Sequence, residues 1–205
     1  MKKRGWLCLV FILVLWVGAA WTQEKVEAPV WNIGDQWTFK RVDGQTFFQE
    51  VVDVKEDLFI VKVGGERDLS AYDKKTLNIK YIIEESGRQL KSTSNRRRLF
   101  DFPISVGKKW VDTTTAVPVG GRTEVTYVNE FKIEGVEEVT TPAGTFKAYK
   151  IYYNQKNMAS GNTGWVLYWY ASDAKMWVKR EAEKTDLWVR VGWAQNAELV
   201  SYRIK

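Results

Sequence analysis

The stretch TEVTYVNEFKI, from Thr123 to Ile133, decides the fold class because apolar and polar residues alternate along it. One face of the stretch carries apolar and aromatic side chains, those of Val125, Tyr127, Phe131 and Ile133. The other face carries polar side chains, those of Glu124, Thr126, Glu130 and Lys132. A period of two residues is typical of a β-strand in a sheet with one buried and one solvated face. The stretch therefore predicts an antiparallel strand.

Strand-like runs of this kind recur from residue 36 to residue 204, and turn signals separate them about every 8 to 12 residues. The dipeptide Asp43-Gly44 lies between the runs QWTFKRV and QTFFQEVVDV, and it predicts a hairpin with a two-residue turn. No window has a sustained helical period. We therefore predict an all-β fold, an antiparallel meander that forms a barrel-like, half-barrel or sandwich sheet.

Two short motifs resemble each other, IGDQWTF at Ile33–Phe39 and VGKKWVD at Val106–Asp112. Each has Val or Ile, then Gly, two polar residues and Trp, and each opens a sequence of strand, turn and strand. Their offset of 73 residues exceeds the period of about 20 to 50 residues that stacked repeats have. We therefore predict a single β-rich domain over residues 31–205, with two similar halves at 31–100 and 101–205. Residues 21–30 are interpreted as an extended N-terminal segment.

The N-terminus has the three parts of an export signal: basic residues at 2–4, an apolar stretch at Trp6–Val17, and small residues at 18–20. We predict a signal peptide over residues 1–20, cleavage near Ala20, and a periplasmic or secreted mature protein. The alternative is a retained anchor, since Gly5–Trp21 is an apolar run of 17 residues, at the lower limit for a spanning helix. A membrane is an expected partner only in that case.

Residue types that are absent constrain the chemistry. The chain has no histidine, and its one cysteine, Cys8, lies in the predicted signal peptide. This excludes Ser-His-Asp and Cys-His nucleophiles and zinc sites built from histidine or thiolate. The sequence predicts no metal, no cofactor and no catalytic residue. Without residues 1–20 the chain has 28 basic and 25 acidic residues, and this near balance predicts no nucleic-acid partner.

A few motifs have both a chemical and a structural interpretation. The Ser-x-x-K pairs Ser105/Lys108 and Ser172/Lys175 lie in turn or strand-entry sequence, although acyl transfer needs both side chains on one helix face. The polar segment Lys91–Arg98, with three consecutive arginines, is either a solvated connector or a docking point for a phosphate or an acidic partner. None of these is assigned a catalytic role.

Three phrases in the second half occur together: FDFPISVGKKW at Phe100–Trp110, EEVTTPAGTFKAYKI at Glu137–Ile151 and YWYASDAKMWVKRE at Tyr168–Glu181. They resemble a family of uncharacterised secreted bacterial proteins, a domain of unknown function with a Pro-Ala-Gly-Thr-Phe turn and a later Trp-Tyr-Ser/Ala-Pro-type turn followed by Val-Lys. The resemblance implies a β-rich fold and a periplasmic or envelope location, and it supplies no activity. This chain departs from the second turn, where Ser172 and Lys175 replace the usual Pro and Gly.

The first of those turns also has a direct physical reading. Pro142 presets φ for the first central position of a turn, so the strands on either side, Lys132–Thr140 and Phe146–Tyr153, are expected to pair antiparallel.

The run TGWVLYWYA, Thr163–Ala171, has aromatic residues on both faces. One interpretation is a central strand covered on both sides. The other is that one face lines a pocket for a hydrophobic ligand, a sugar or an extended peptide. The candidate ligand-binding residues are Trp165, Tyr168, Trp169 and Tyr170.

The sequence therefore predicts an exported, non-catalytic binding or interaction domain. Its expected partner is a hydrophobic small molecule or another envelope protein. The alternative is a carboxylate-based hydrolase that acts on glycans, which needs two facing Asp or Glu residues in an aromatic-lined cleft.

Overall fold

A computed structural model describes residues 25–64, 66–84, 86–91, 98–116, 123–183 and 196–205. The predicted signal peptide and residues 92–97 of the polar connector lie outside the described residues. Within these ranges the chain forms twelve strands. None of the described segments is a helix long and apolar enough to cross a membrane.

The strands follow one another along the chain with short connections. They are β1 (Gln36–Arg41), β2 (Thr46–Val54), β3 (Leu58–Val63), β4 (Leu69–Asp73), β5 (Ile79–Ile83), β6 (Gln89–Lys91), β7 (Lys109–Ala116), β8 (Val125–Thr141), β9 (Gly144–Asn157), β10 (Thr163–Ala171), β11 (Met176–Ala182) and β12 (Ala197–Arg203).

All twelve strands belong to one antiparallel sheet, in the order β6-β5-β4-β3-β2-β1-β12-β11-β10-β9-β8-β7. Strands β1 to β6 form one meander and β7 to β12 form another, and the pairing of β1 with β12 joins them. The predicted all-β antiparallel meander is confirmed. The sheet is open, because β6 and β7 are its two edges rather than partners of each other.

Strand β8 confirms the alternation read from the sequence. Tyr127, Phe131 and Ile133 are buried, whereas Glu130 and Lys132 are exposed. The ladder with β9 also confirms the predicted antiparallel pairing around the Pro142 turn.

A polar residue shares the buried face of β8. Asn129 is fully buried, and its amide donates to Thr114 Oγ1 at 3.0 Å. Its Oδ1 accepts from the hydroxyl of Tyr153 and from Nε2 of Gln155, both at 2.9 Å. These bonds satisfy a polar group that would otherwise destabilise the core.

The β1–β2 hairpin corrects one expectation. The N–H of Arg41 donates to the carbonyl of Gln45 at 2.8 Å, and the N–H of Gly44 donates to the carbonyl of Arg41 at 3.0 Å. The loop therefore has three residues, 42–44, rather than the two predicted. The reason is that Asp43-Gly44 occupies the end of a longer turn, in which Gly44 takes positive φ, and this dipeptide is compatible with both loop lengths.

Two segments outside the strands cover one face of the sheet. Val26 and Ile104 form an isolated antiparallel bridge, so the segment before β1 and the segment before β7 run side by side. Both contribute to the core: Trp31 packs 5.0 Å from Trp37, and Phe100 packs 5.2 Å from Tyr170, between ring centroids. The core is thus filled largely by aromatic side chains.

Candidate functional site

Strand β10 places the four aromatic residues predicted as ligand contacts, and it lies between β9 and β11. Tyr168 and Tyr170 are buried on one face, and Trp169 is buried on the other with the half-buried Trp165. This alternation follows the sequence pattern. None of the four residues lines the surface groove described below.

Tyr170 occupies an apolar setting. Its ring lies 5.2 Å from the ring of Phe100 and 5.7 Å from that of Phe102, both in edge-to-face geometry. Its hydroxyl is buried and has no hydrogen-bond partner among the described residues. Burial therefore raises the pKa of the Tyr170 hydroxyl well above its usual range.

Trp169 has a polar and cationic setting instead. Its Nε1 donates to Oε1 of Glu137 at 2.5 Å. The ammonium groups of Lys150 and Lys179 lie 5.6 and 4.9 Å from its ring centroid, within cation–π range. These contacts hold the indole against the sheet.

A surface groove lies where the segment before β1 crosses the first meander. Its volume is about 590 Å³, and its lining residues are Ala28, Pro29, Val30, Trp31, Asn32, Ile33, Val54, Phe59 and Lys74. Val30 is 71% exposed and Ile33 is 54% exposed, although both are large aliphatic side chains. We call this feature the Trp31 groove. Sequence reasoning missed it, since it treated residues 21–30 only as an extended segment.

Ring packing makes the floor of the Trp31 groove rigid. The Trp31 ring lies 5.0 Å from Trp37 and 5.1 Å from Phe59. The Trp31 Nε1 donates to the carbonyl of Lys175 at 3.0 Å, and the Trp37 Nε1 donates to the carbonyl of Ala174 at 2.6 Å. Both indoles are therefore anchored on the turn between β10 and β11.

A buried carboxylate holds the same region together. Asp35 is fully buried and accepts hydrogen bonds from the N–H of Asn32 at 2.9 Å and from the N–H of Lys205 at 2.7 Å. The amine of Lys175 binds it at 3.4 Å. Lys175 has a φ of 56°, so a lysine takes the left-handed conformation in this turn. The long side chain gains an ion pair with Asp35 that glycine cannot make.

The other well-paired acids also hold turns. Burial raises the pKa of Asp73, but its hydrogen bonds with Lys80 and Thr76 outweigh burial, and the net pKa lies below its usual range. Asp101 binds the amine of Lys108 at 3.0 Å and pairs with Arg98. Burial lowers the pKa of Lys108.

These ion pairs bear on the two Ser-x-x-K motifs. In each, the N–H of the lysine donates to the carbonyl of the serine, which closes a turn: Lys108 to Ser105 at 3.1 Å and Lys175 to Ser172 at 3.0 Å. Each lysine amine binds an aspartate instead of a serine hydroxyl, with Asp101 and Asp35 as the two partners. Across the described ranges, no three acidic, histidine or cysteine residues are grouped so as to hold a metal ion.

Comparison with known families agrees with the sequence resemblance. Residues 106–186 match the model of a family described as DUF3108-like. The match covers β7 to β11, the part of the chain that contains the Pro142 turn and the turn between β10 and β11. The resemblance to an uncharacterised domain family is thereby confirmed. No curated protein matches the sequence.

Solved structures of other proteins also align with this chain. The hypothetical lipoprotein YmcC from Escherichia coli aligns with a TM-score of 0.51 at 10% identity, over 88% of this chain and 90% of that one. A Bacteroides fragilis protein of inferred export, with a YmcC-like fold, aligns with a TM-score of 0.40 at 16% identity, over 87% of this chain and 99% of its own. At such identities the likeness to YmcC shows the fold alone.

Proposed function

We propose that this chain is an exported, non-catalytic binding domain, and that its Trp31 groove takes a small amphiphile with an apolar chain and an anionic head. The observation that carries the proposal is the exposure of Val30 and Ile33 beside buried aromatic rings in one concave surface. Exposed aliphatic side chains that meet in a concavity mark a binding site more often than isolated ones do.

The size and lining of the groove support an apolar ligand. Its volume of about 590 Å³ lies within the range of about 300 to 1,000 Å³ that is typical of small-molecule pockets. Val30 and Ile33 can each contribute up to about 1.5 to 3 kcal/mol when a ligand removes them from water. The anchored indole of Trp31 provides a preformed floor, which lowers the entropy cost of binding.

The charge of the lining supports an anionic head. Among the described residues that line the groove, Lys74 is the one with a charged side chain. Its amine lies 5.5 Å from the ring centroid of Phe59, at the border of the apolar surface. A carboxylate or phosphate head beside this amine would gain a charge-assisted hydrogen bond while its chain lies along the aliphatic residues.

Export is supported by residues 1–20, whose three-part pattern is that of a signal peptide. It is also supported by the fold, which resembles that of a protein described as a hypothetical lipoprotein. We therefore place the mature domain in the periplasm or outside the cell, where an amphiphile from the envelope would be available.

The observed side chains fit a binding role better than the alternative function, a carboxylate-based glycan hydrolase. The hydrolase needs two carboxyl groups free to act in one cleft. Asp35, Asp73 and Asp101 are instead each held by a lysine, at 3.4, 2.7 and 3.0 Å. Carboxylates held in this way stabilise turns, and the described lining of the Trp31 groove contains no Asp or Glu that could supply the catalytic pair.

The proposal is tested by isothermal titration calorimetry with decanoate and with 1-decanol, its uncharged analogue. We expect saturable binding of both, with decanoate tighter. Val30→Asp combined with Ile33→Asp should weaken both ligands at least about tenfold, since about 1.4 kcal/mol of lost apolar contact is tenfold in affinity. Lys74→Gln should weaken decanoate alone, and it should remove the difference between the two ligands.

The matched control is Val111→Asp, because Val111 is a valine of similar exposure, at 62%, on β7 and outside the groove. It should leave both affinities unchanged. Absence of saturable binding of decanoate and 1-decanol would contradict the proposal. Equal losses in the groove variant and in Val111→Asp would do the same.

A further inference from the structure

Strand β7 is one of the two edges of the sheet, and half of its backbone groups point away from β8. The N–H of Ile133 donates to the carbonyl of Lys108 at 2.9 Å, and every second residue of β7 continues this phase along the ladder. In an antiparallel ladder, the residues in between direct their N–H and C=O groups to the other side. In β7 these outward residues are Lys109, Val111, Thr113 and Thr115, and we call this row the β7 edge.

The β7 edge is accessible. Within the described ranges, no backbone or side-chain group bonds to its outward N–H and C=O groups. All four of its residues are exposed, and Val111 is 62% exposed although its side chain is apolar. A row of backbone donors and acceptors in this state is a template for one further strand.

The two edges of the sheet differ in how well they are protected. The opposite edge, β6, has three residues, whereas β7 has eight. Folded proteins protect edge strands by making them short, or by placing proline or charged side chains on them. Strand β7 contains no proline, and Lys109, at its beginning, is the one charged residue of the β7 edge. Valine and threonine, which make up the rest of that row, favour strand pairing.

Contacts on the covered face hold β7 in place. The ring of Trp110 stacks on that of Phe131, with 4.9 Å between the centroids, and its Nε1 donates to the carbonyl of Arg98 at 2.8 Å. The carboxylate of Asp112 accepts from the N–H of Arg98 at 2.9 Å. The strand is therefore ordered before it meets a partner, which lowers the entropy cost of pairing.

We propose that the β7 edge pairs with the β7 edge of a second copy of this chain, antiparallel and around a two-fold axis at Val111. The outward groups of Lys109, Val111 and Thr113 then all find partners in the same three residues of the second copy. Such a pairing is self-complementary, as a two-fold interface must be. It also continues the antiparallel order that relates all twelve strands within one copy.

The side chains favour a second copy in this register. Val111 lies opposite Val111 of the second copy, so the two exposed apolar side chains cover each other. Lys109 lies opposite Thr113, and no like charges face each other. An axis at Asp112 would instead place two carboxylates opposite each other, which is unfavourable.

The dimer is expected to be weak. One pair of strands is a small interface compared with the about 1,200 to 2,000 Å² that a stable complex buries. We therefore expect dimers that dissociate on dilution through the micromolar range. The remaining edges of the dimer are the two short β6 strands, so the assembly should stop at two copies.

Sedimentation velocity of the purified protein over a range of concentrations tests the proposal. We expect a reversible monomer–dimer equilibrium. Thr113→Pro removes an outward N–H without removing a bond to β8, and it should raise the dissociation constant at least about tenfold. Thr113→Ala is the matched control, since it shortens the same side chain but keeps the N–H, and it should change the constant far less. Circular dichroism checks that both variants fold.

A charge exchange at Val111 tests the register and does not depend on proline. Val111→Asp and Val111→Lys should each be monomeric, because each places like charges opposite each other at the axis. A mixture of the two variants should form dimers again, since aspartate then faces lysine.

Three results overturn the proposal. The first is a protein that stays monomeric at every concentration, which would leave the β7 edge to a strand of another protein. The second is a dimer that Thr113→Pro and Thr113→Ala affect equally. The third is a mixture of the Val111 variants that stays monomeric. The Trp31 groove lies on the other meander, so loss of the dimer in Val111→Asp should leave the affinity for decanoate unchanged, and the two proposals can fail separately.

Discussion

The hydroxyl of Tyr170 is one of four buried side-chain polar atoms that have no hydrogen-bond partner among the described residues. Tyr153, equally buried, donates its hydroxyl to Asn129 at 2.9 Å, whereas the hydroxyl of Tyr170 meets no acceptor among the described residues. The sequence predicts that both tyrosines lie in strands, Tyr153 in the strand after the Pro142 turn and Tyr170 in the aromatic run Thr163–Ala171. It contains no information on which hydroxyl finds an acceptor, because that depends on strands far away in the chain.

We expect Tyr170→Phe to raise the free energy of unfolding by about 1 kcal/mol at neutral pH, because it removes a buried group that has lost its water without gaining a partner. Tyr153→Phe is the matched control and should lower it by about 0.5 to 1.5 kcal/mol, since Asn129 loses one of its two donors and keeps Gln155. Urea unfolding of both variants measures this. A loss in Tyr170→Phe as large as in Tyr153→Phe would show that the hydroxyl has a partner.

The raised pKa of Tyr170 adds a dependence on pH. An unfolded tyrosine ionises near pH 10, whereas the folded chain keeps the proton on Tyr170 to higher pH. The unfolded state therefore binds fewer protons above about pH 10, and stability falls there as pH rises. Tyr170→Phe should lose less stability than the unaltered chain between about pH 10 and pH 11, since it lacks this group.

At the scale of elements, the two similar sequence motifs take the same backbone geometry. Gly34 and Gly107 have φ values of 88° and 83°. The N–H of Gly34 donates to the carbonyl of Val51 at 2.7 Å, and the N–H of Gly107 donates to that of Ile133 at 2.8 Å. Each glycine thus lies two residues before the first strand of a meander and is hydrogen-bonded to the second strand. The weak sequence similarity reflects one local structure used twice.

The role of this geometry is tested by two glycine substitutions that differ in one respect. Neither Gly107 nor Gly135 has an atom within 4 Å of where a Cβ would lie, but only Gly107 has a positive φ. Gly107→Ala should lower the free energy of unfolding by about 1 to 2 kcal/mol, the cost of the left-handed conformation. Gly135→Ala should be near neutral. Equal effects in thermal unfolding would contradict a requirement for positive φ.

Local pairing was predictable from sequence and distant pairing was not. The β8–β9 hairpin follows from alternation on both sides of Pro142. The join between the meanders pairs Trp37 with Tyr202, and nothing in the composition of β1 or β12 selects this partner over another strand. Strand pairing over such a distance depends on how whole faces are buried, which a single strand pattern does not reveal.

At the scale of the whole molecule, the way in which the open sheet is covered explains why the aromatic residues predicted as ligand contacts do not line the proposed site. The segments before β1 and before β7 pack on the covered face of the sheet. Trp31 and Phe100 therefore occupy the space in which a carrier would bind a ligand on that face. The same segment before β1 creates the Trp31 groove at the surface. The sequence shows that Val30 and Ile33 are apolar, but only the packed chain shows that both stay exposed.

A crystal structure of the protein grown with decanoate tests the account most directly. We expect the chain of decanoate to lie against Trp31, Val30 and Ile33, with its carboxylate within hydrogen-bonding distance of the Lys74 amine, and with Phe100 and Tyr170 unmoved. A structure with the groove empty at saturating decanoate, or with decanoate inside the sheet in place of Phe100, would contradict the proposal.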